Sequence, residues 1–180
     1  VAFRGSDSIK DWRRNFSFAA KKWKNGLKIH TGFESAYSPV RSELMGTLNR
    51  ILNNDMYNIN KIICTGHSLG GALSMLLNYD LNDKYNKTPN KYSIRCLPYG
   101  IPKVFINNMA FKKDHLIKRM ITRTVRIVNE DDIVDKLPPR WLAVFGLNYK
   151  HIGPSFRLGK ENLFDGSIGF KEHLIEDYIK

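Results

Sequence analysis

The stretch Lys61–Leu76, KIICTGHSLGGALSML, joins an apolar segment to a helix-like segment through a serine that stands between glycines. Its first residues are apolar and β-branched, which predicts a buried strand, and the pattern from Leu69 onward predicts a helix. Gly66 and Gly70 lack the Cβ atoms that would collide where a strand turns sharply into a closely packed helix. The stretch therefore predicts a strained strand–turn–helix unit with Ser68 at its apex.

The same five residues, Gly66 to Gly70, fit the pattern G-x-S-x-G of a nucleophile elbow, and they stand in the strand–turn–helix context that this motif requires. The turn would lift the Ser68 hydroxyl out at the carboxyl edge of a sheet. The Leu69 N–H would open the helix, where the helix dipole favours negative charge. The pattern predicts Ser68 as a nucleophile and the Leu69 amide as an oxyanion donor.

A serine nucleophile of this architecture needs a carboxylate and then a histidine later in the chain. Four carboxylates follow the predicted strand TVRIV, and two histidines come after them. His115 precedes the acids on a charged helix, so a solvated surface histidine is expected there. Spacing alone does not choose among the acids Glu130, Asp131, Asp132 and Asp135, or between the bases His151 and His173.

Strand-like and helix-like segments alternate along the chain, which predicts an α/β fold with a mostly parallel central sheet and helices on both faces. We expect strands at VAFRG, LKIHTGF, YSIRCLPYG and TVRIVNE, an all-buried strand at KIICTGH, and strand-like pieces at NYKHIG and SFRLG. We expect helices at NNMAFKKDHLIKRM, at FKEHLIEDYIK and over residues 34–53. The apolar face of that last helix would carry Tyr37, Val40, Leu44, Leu48 and Ile51.

The chain has 180 residues, a net charge of +12 and an isoelectric point near 9.7. Its length favours one domain over residues 1–180. The basic residues are spread out and no nucleic-acid-binding motif accompanies them, so no nucleic-acid partner is expected. No apolar run is long enough for a transmembrane segment, and the compartment stays open. Cys64 and Cys96 lie in strand-like segments, which favours buried free thiols.

Seven motifs along the chain, in the same order, resemble those of the class 3 lipase family, the fungal triacylglycerol lipase type of α/β-hydrolase. They are FRGSDSIKDW, IHTGF, TGHSLGGAL, YGIPKV, RIVNEDDIVDKLPP, YKHIG and EHLIEDYI, and they span nearly the whole chain.

The resemblance implies a serine hydrolase that cleaves carboxylic esters of lipids through an acyl-enzyme, as a triacylglycerol lipase does. It assigns Ser68 as nucleophile, Asp132 as acid and His173 as base, and it implies a structural strand for His151. No metal or organic cofactor is implied. The alternatives are a phospholipase A1 or general carboxylesterase on the same triad, and a lipase-like scaffold without turnover.

The resemblance also implies an oxyanion hole formed by the N–H groups of Ser6 and Leu69. The segment after Ser6 resembles a short lid helix with Ile9, Trp12 and Phe16 on its apolar face, although an ordinary core-packing helix has the same periodicity. Such a lid would make transient contact with a lipid interface.

The chain departs from the family pattern in several places. Family members usually carry Pro where Asp135 stands and Gly where Phe105 stands. Asp135 would either raise the local negative potential or point outward. The helix and strands that members carry upstream of VAFRG are absent, so we expect a piece of a longer chain. An apolar run after Pro139 would line an acyl pocket or bury a loop; it consists of Trp141, Leu142, Val144 and Phe145.

Overall fold

The structure, a computed structural model, describes residues 1–5, 18–86 and 91–158. Its strands are β1 (Ala2–Phe3), β2 (Ala20–Lys22), β3 (Lys28–His30), β4 (Lys61–His67), β5 (Ser93–Tyr99), β6 (Phe105–Ile106), β7 (Arg126–Asn129), β8 (Tyr149–Lys150) and β9 (Ser155–Leu158). Its helices are α1 (Thr31–Leu52), α2 (Leu69–Tyr85), α3 (Met109–Lys113) and α4 (His115–Arg123), with 3₁₀ helices at Lys24–Gly26, Val134–Lys136 and Arg140–Phe145.

Among the described residues, five strands form a parallel sheet in the order β1-β4-β5-β7-β9. Strands β4 and β5 pair along their whole length, from Lys61 opposite Ser93 to His67 opposite Tyr99. Parallel strands end at one edge, so β4 and β7 deliver the residues that follow them to the same side of the sheet. The predicted α/β class, with a mostly parallel sheet and packed helices, is confirmed.

Helix α2 packs on β4 and β5. The Ser74 hydroxyl lies 3.5 Å from Cys96 Sγ, and Cys96 is the register partner of Cys64. Both cysteines are buried free thiols, as expected. Burial raises the pKa of Cys96 to about 12, so it stays protonated at neutral pH. The prediction that β4 is buried on both sides was wrong, because Ile63 lies on the other face and is exposed.

A second, antiparallel sheet in the order β2-β3-β6-β8 was not predicted. The expected strand LKIHTGF is shorter than predicted: it ends at His30, because α1 begins at Thr31. The His30 ring accepts the Gly32 N–H at 3.1 Å and so caps the new helix. Phe105, in β6, is buried against the rings of Trp23 and Phe111.

Helix α1 buries Phe33, Tyr37 and Leu48, whereas Val40 and Ile51 are exposed. The predicted five-residue apolar face was therefore too wide. In the described part of the chain the helix packs mainly on β3 and α2, so a narrow stripe is enough to cover its buried side.

The predicted helix NNMAFKKDHLIKRM is two helices, α3 and α4, separated at Asp114. Asp114 has extended backbone angles, and its carboxylate accepts the N–H groups of Leu116 at 2.7 Å and Ile117 at 3.1 Å. A short acidic side chain that caps a new first turn ends one helix and starts another.

Asp80, fully buried on α2, holds the helical layer together. Its carboxylate accepts the Tyr37 hydroxyl at 2.8 Å and Arg41 Nε at 2.5 Å from α1, and it pairs with Lys24. Because a buried carboxylate is costly unless it is paired, this network fixes α1 and the Lys24–Gly26 turn against α2. It thereby fixes the helix that begins one residue after Ser68.

Candidate active site

Ser68 stands at the turn between β4 and α2 with φ 54° and ψ −121°. A positive φ is strained for any residue with a Cβ atom, and such strain persists only where the surroundings enforce it. Here the Ser68 N–H donates to Tyr99 O at 3.0 Å, and the Ser68 carbonyl accepts the Ala72 N–H at 3.1 Å. The strand–turn–helix unit has the predicted form, with its strain at the predicted serine.

The glycines around Ser68 are required by close backbone contacts. A Cβ on Gly66 would lie 2.4 Å from the Gly70 carbonyl carbon, and a Cβ on Gly70 would lie 2.3 Å from Phe3 O. Both neighbours are backbone atoms, which cannot rotate away as a side chain can. The turn is therefore compressed between its own helix and strand β1.

The Ser68 side chain occupies the N-cap position of α2 but makes no capping hydrogen bond. Serine at this position usually accepts an N–H from the first helical turn. Leu69 is the first residue of the helix, and N–H groups in the first turn have no intrahelical acceptor. The Ser68 hydroxyl is therefore not used as a helix cap, and it lies beside the N-terminus of the helix. This position suits a nucleophile next to an oxyanion donor.

Asp132 lies three residues beyond the end of β7 and is 1 % exposed. Its N–H donates to Asn129 O at 3.1 Å, and its Oδ1 accepts the Val134 N–H at 2.8 Å. Strand β5 alone separates β7 from β4 in the sheet. Ser68 and Asp132 therefore follow strands that end at the same edge, with the carboxylate held by its own loop.

His151 lies elsewhere in the hydrogen-bond network. Its Nε2 is 2.8 Å from Asp135 O and 3.1 Å from Asp135 Oδ1. Burial lowers the pKa of His151, while the hydrogen bond to Asp135 opposes that effect. A ring that donates to Asp135 fits the structural role that the resemblance implies for His151. Ser6, the lid residues Ile9, Trp12 and Phe16, and the base His173 lie outside the described residues.

Asp135 is buried, and both expectations for it were wrong. Its carboxylate pairs with Arg126 Nη1 at 2.5 Å and contacts Arg157 Nη2 at 3.5 Å, in addition to His151. Burial acts to raise its pKa, but the hydrogen bond from His151 and the charges of Arg126 and Arg157 leave it lowered. The carboxylate neither points outward nor adds an uncompensated negative charge.

Lys103, from the YGIPKV motif, holds the backbone of the segment that follows Asp132. Its ammonium donates to Lys136 O at 2.5 Å and to Pro138 O at 2.8 Å. Burial lowers the pKa of Lys103, and the charge of Asp135 opposes that shift. Reasoning from sequence missed Lys103 and the Asp135 cluster; the charged Arg126 within the apolar segment TVRIV was the available signal.

Asp135→Asn should lower the free energy of unfolding by about 3 kcal/mol, because it leaves the Arg126 guanidinium buried without a carboxylate. Because the pKa of Asp135 is lowered, its charge stabilises the fold above about pH 4, and this stabilisation is lost as the pH falls further. The free energy of unfolding of the variant should therefore depend less on pH in the acid range. Urea unfolding between pH 3 and 8 measures both effects.

The matched control is Glu34→Gln, which removes the more exposed ion pair with Lys21 and should cost less than about 1 kcal/mol. Equal losses for the two variants, or an unchanged acid dependence in Asp135→Asn, would show that the buried cluster does not stabilise the acid loop.

The apolar run after Pro139 divides into one buried residue and three exposed ones. Leu142 is 6 % exposed, whereas Trp141, Val144 and Phe145 are 60 %, 85 % and 72 % exposed. The expectation that the run buries a loop therefore holds for Leu142 alone. No helix in the described part of the chain is both long and apolar enough to cross a membrane.

Comparison with known proteins identifies the family. The family model described as Lipase (class 3) matches residues 1–141. The chain belongs to the class 3 lipase family. Lipase from Rhizomucor miehei is 33 % identical over 159 residues, which cover 87 % of this chain and 40 % of that lipase. The chloroplastic phospholipase A(1) DAD1 of Arabidopsis thaliana is 27 % identical over 154 residues, covering 77 % of this chain and 33 % of the phospholipase.

Solved lipase structures share the fold. The native propeptide complex of Rhizomucor miehei lipase superposes with a TM-score of 0.70 at 31 % identity, covering 87 % of this chain and 47 % of that one. A triacylglycerol lipase whose catalytic centre is described as a serine protease triad superposes with a TM-score of 0.68 at 31 % identity, covering 86 % of this chain and 55 % of the other. The chain thus spans about half or less of the length of these relatives.

Proposed function

We propose that this chain carries the catalytic centre of a serine hydrolase that cleaves carboxylic esters of lipids. The observation that carries the proposal is Ser68, held at positive φ in a glycine-compressed elbow, with its hydroxyl not used as a helix cap. Asp132, buried after a strand that ends at the same edge of the sheet, supports it. Membership in the lipase family indicates the substrate class.

In the proposed mechanism, His173 takes the proton from Ser68 Oγ as the oxygen attacks an ester carbonyl, and Asp132 orients and stabilises the imidazolium. The tetrahedral oxyanion accepts hydrogen bonds from the N–H groups of Leu69 and Ser6. The intermediate collapses to an acyl-enzyme, and His173 gives its proton to the leaving alcohol. Water activated by His173 then releases the fatty acid and restores the serine.

The position of Gly5 supports Ser6 as the second oxyanion donor. A Cβ on Gly5 would lie 2.8 Å from His67 O, so the chain touches the residue that precedes the nucleophile. Ser6 follows directly, and a peptide unit spans less than 4 Å. Gly5 thus brings the chain to the elbow immediately before Ser6 in the sequence, which supports the proposed donor. A donor of this kind contributes about 10²–10³ in rate.

Acylglycerols are the substrates we propose first, because the fungal relative and both solved neighbours are named lipases. The plant relative named a phospholipase A(1) makes phospholipid sn-1 esters the second candidate. In either case we propose transient contact with a lipid interface, with Ile9, Trp12 and Phe16 as the apolar face of a lid. A panel of acylglycerol, phospholipid and soluble short-chain esters separates these classes.

Fluorophosphonate labelling of the full chain, shown to be folded by circular dichroism, tests the proposal. We expect the label on Ser68 by peptide mapping. His173→Gln should slow labelling by about 10²–10⁴ because it removes the general base. His151→Gln is the matched control and should stay within a few-fold, since His151 donates to Asp135.

Two outcomes would contradict these assignments. Labelling lost in folded His151→Gln but retained in His173→Gln would transfer the role of base to His151. A folded chain that takes no label would favour the non-catalytic scaffold.

A further inference from the structure

Three apolar side chains project from the 3₁₀ helix Arg140–Phe145, and we call them the aromatic wedge: Trp141, Val144 and Phe145. Residues three apart eclipse each other in a 3₁₀ helix, which aligns Trp141 with Val144. The Trp141 and Phe145 rings meet edge to face with their centroids 6.2 Å apart. The wedge is therefore one continuous apolar surface, larger than the single exposed apolar residues that are ordinary on proteins.

The wedge has a well-defined base. Leu142 is buried beneath it, and its carbonyl accepts the Leu147 N–H at 3.1 Å. Gly146 ends the helix at φ 76°, and its N–H donates to Ala143 O at 3.0 Å. An anchored turn holds the exposed rings in place, which lowers the entropy lost when they bind.

The charges that flank the wedge along the chain all have one sign. From Lys136 to Leu158 the sequence contains no Asp or Glu. Three of its cations, Lys136, Arg140 and Lys150, are exposed and lie just before, at the start of and just after the wedge segment. Arg140 also lies close enough to Lys103 for its charge to act on that ammonium. The wedge is thus an apolar surface bordered by positive charge.

We propose that the aromatic wedge docks onto a lipid surface that carries anionic headgroups. Aromatic side chains insert at the boundary between headgroups and acyl chains, and cations beside them attract anionic lipids. The three side chains of the wedge are 60 %, 85 % and 72 % exposed, so they are accessible to such a surface. The inference rests on the proposed function for its biological setting, but it concerns binding and does not require turnover.

Docking here would orient the catalytic edge. The wedge begins three residues after Pro138, whose carbonyl accepts a hydrogen bond from Lys103, and nine residues after Asp132. A surface bound by the wedge therefore lies beside the loop of the proposed acid. The proposed contact involves none of Ile9, Trp12 and Phe16.

Vesicle flotation in a Ser68→Ala background tests the inference without hydrolysis of the lipid. Vesicles of phosphatidylcholine with about one third phosphatidylglycerol should bind the chain. Trp141→Ser with Phe145→Ser should weaken binding at least about tenfold. The matched control is Met56→Ser with Tyr57→Ser, an exposed pair in another part of the chain, and it should bind as the parent does.

The charges are tested separately. Arg140→Gln with Lys150→Gln should weaken binding by about 25-fold, or about fivefold per cation, and the effect should vanish on pure phosphatidylcholine. Lys112→Gln with Lys113→Gln removes the same charge from exposed positions on α3 and should have little effect. Added salt should weaken binding of the parent more than that of the Arg140 and Lys150 double variant.

Failure of the inference and failure of the proposed function are distinguishable. Wedge variants that bind vesicles as the parent does would overturn the docking surface, while hydrolysis of a soluble ester would still support the triad. Loss of concentration-dependent self-association, measured by light scattering, without loss of vesicle binding would make the wedge an interface between copies of the chain. No hydrolysis together with wedge-dependent binding would overturn only the proposed function.

Discussion

Ser68→Gly should abolish ester hydrolysis and yet be more stable than Ser68→Ala. Both variants lack the hydroxyl, and loss of the nucleophile in a Ser-His-Asp enzyme costs about 10⁶ in kcat. They differ in the Cβ atom at φ 54° and ψ −121°. Strain of this kind costs about 1–3 kcal/mol, and glycine relieves it.

Glycine also loses more conformational entropy on folding, by about 0.4–1 kcal/mol. The glycine variant should therefore exceed the alanine variant by about 1 kcal/mol in the free energy of unfolding. Urea denaturation of the two variants measures the difference, and a soluble ester assay measures the loss of activity.

Ser42 supplies a control with the opposite sign. It lies exposed in the interior of helix α1, where glycine is about 1 kcal/mol less favourable than alanine. Ser42→Gly should therefore be less stable than Ser42→Ala, with activity unchanged in both. If glycine is also the less stable choice at position 68, the elbow is not strained in solution.

The elbow could be predicted from sequence because its motif is local. Gly66, Ser68 and Gly70 stand within five residues, so the motif is visible even though Gly70 also avoids a clash with Phe3 of the distant strand β1. The parallel sheet was predictable for a similar reason, since β4, β5 and the helix between them are long enough to show their periodicity.

The antiparallel sheet could not be predicted in the same way. Its strands have two or three residues each, too short for an alternating pattern, and β3 pairs with β6 across more than seventy residues. The width of the apolar face of α1 likewise depends on which elements pack against it. Such features arise from tertiary packing, which overrides local propensity.

The Asp135 cluster shows what spacing leaves undecided at a site. Four carboxylates lie within six residues, and their chemistry alone does not decide which one is the acid of the triad. In the structure Asp135 forms an ion pair with Arg126 and a hydrogen bond with His151, which lie 9 and 16 residues away in the sequence. That pairing is consistent with a structural role for both Asp135 and His151. Among the remaining carboxylates it favours Asp132 as the acid, because Asp132 is buried and held by its own loop.

Asp132→Asn should lower kcat/KM on a soluble ester by about 10⁴ while leaving the fold intact. The amide keeps the size of the carboxylate, and its oxygen can still accept the Val134 N–H. It cannot stabilise the imidazolium that forms when the base takes the serine proton, and it favours the wrong tautomer of the base. Steady-state kinetics and urea denaturation measure the two properties.

Asp131→Asn is the matched control, because it makes the same change one residue earlier, at a half-buried carboxylate. It should stay within about threefold of the parent in kcat/KM. A loss below tenfold in Asp132→Asn, or a larger loss in Asp131→Asn, would assign the acid to another residue of the loop. A loss of about 10⁴ that is confined to Asp132→Asn, in a folded chain, would show that turnover needs the negative charge of Asp132. A role in packing the loop alone would not predict such a loss.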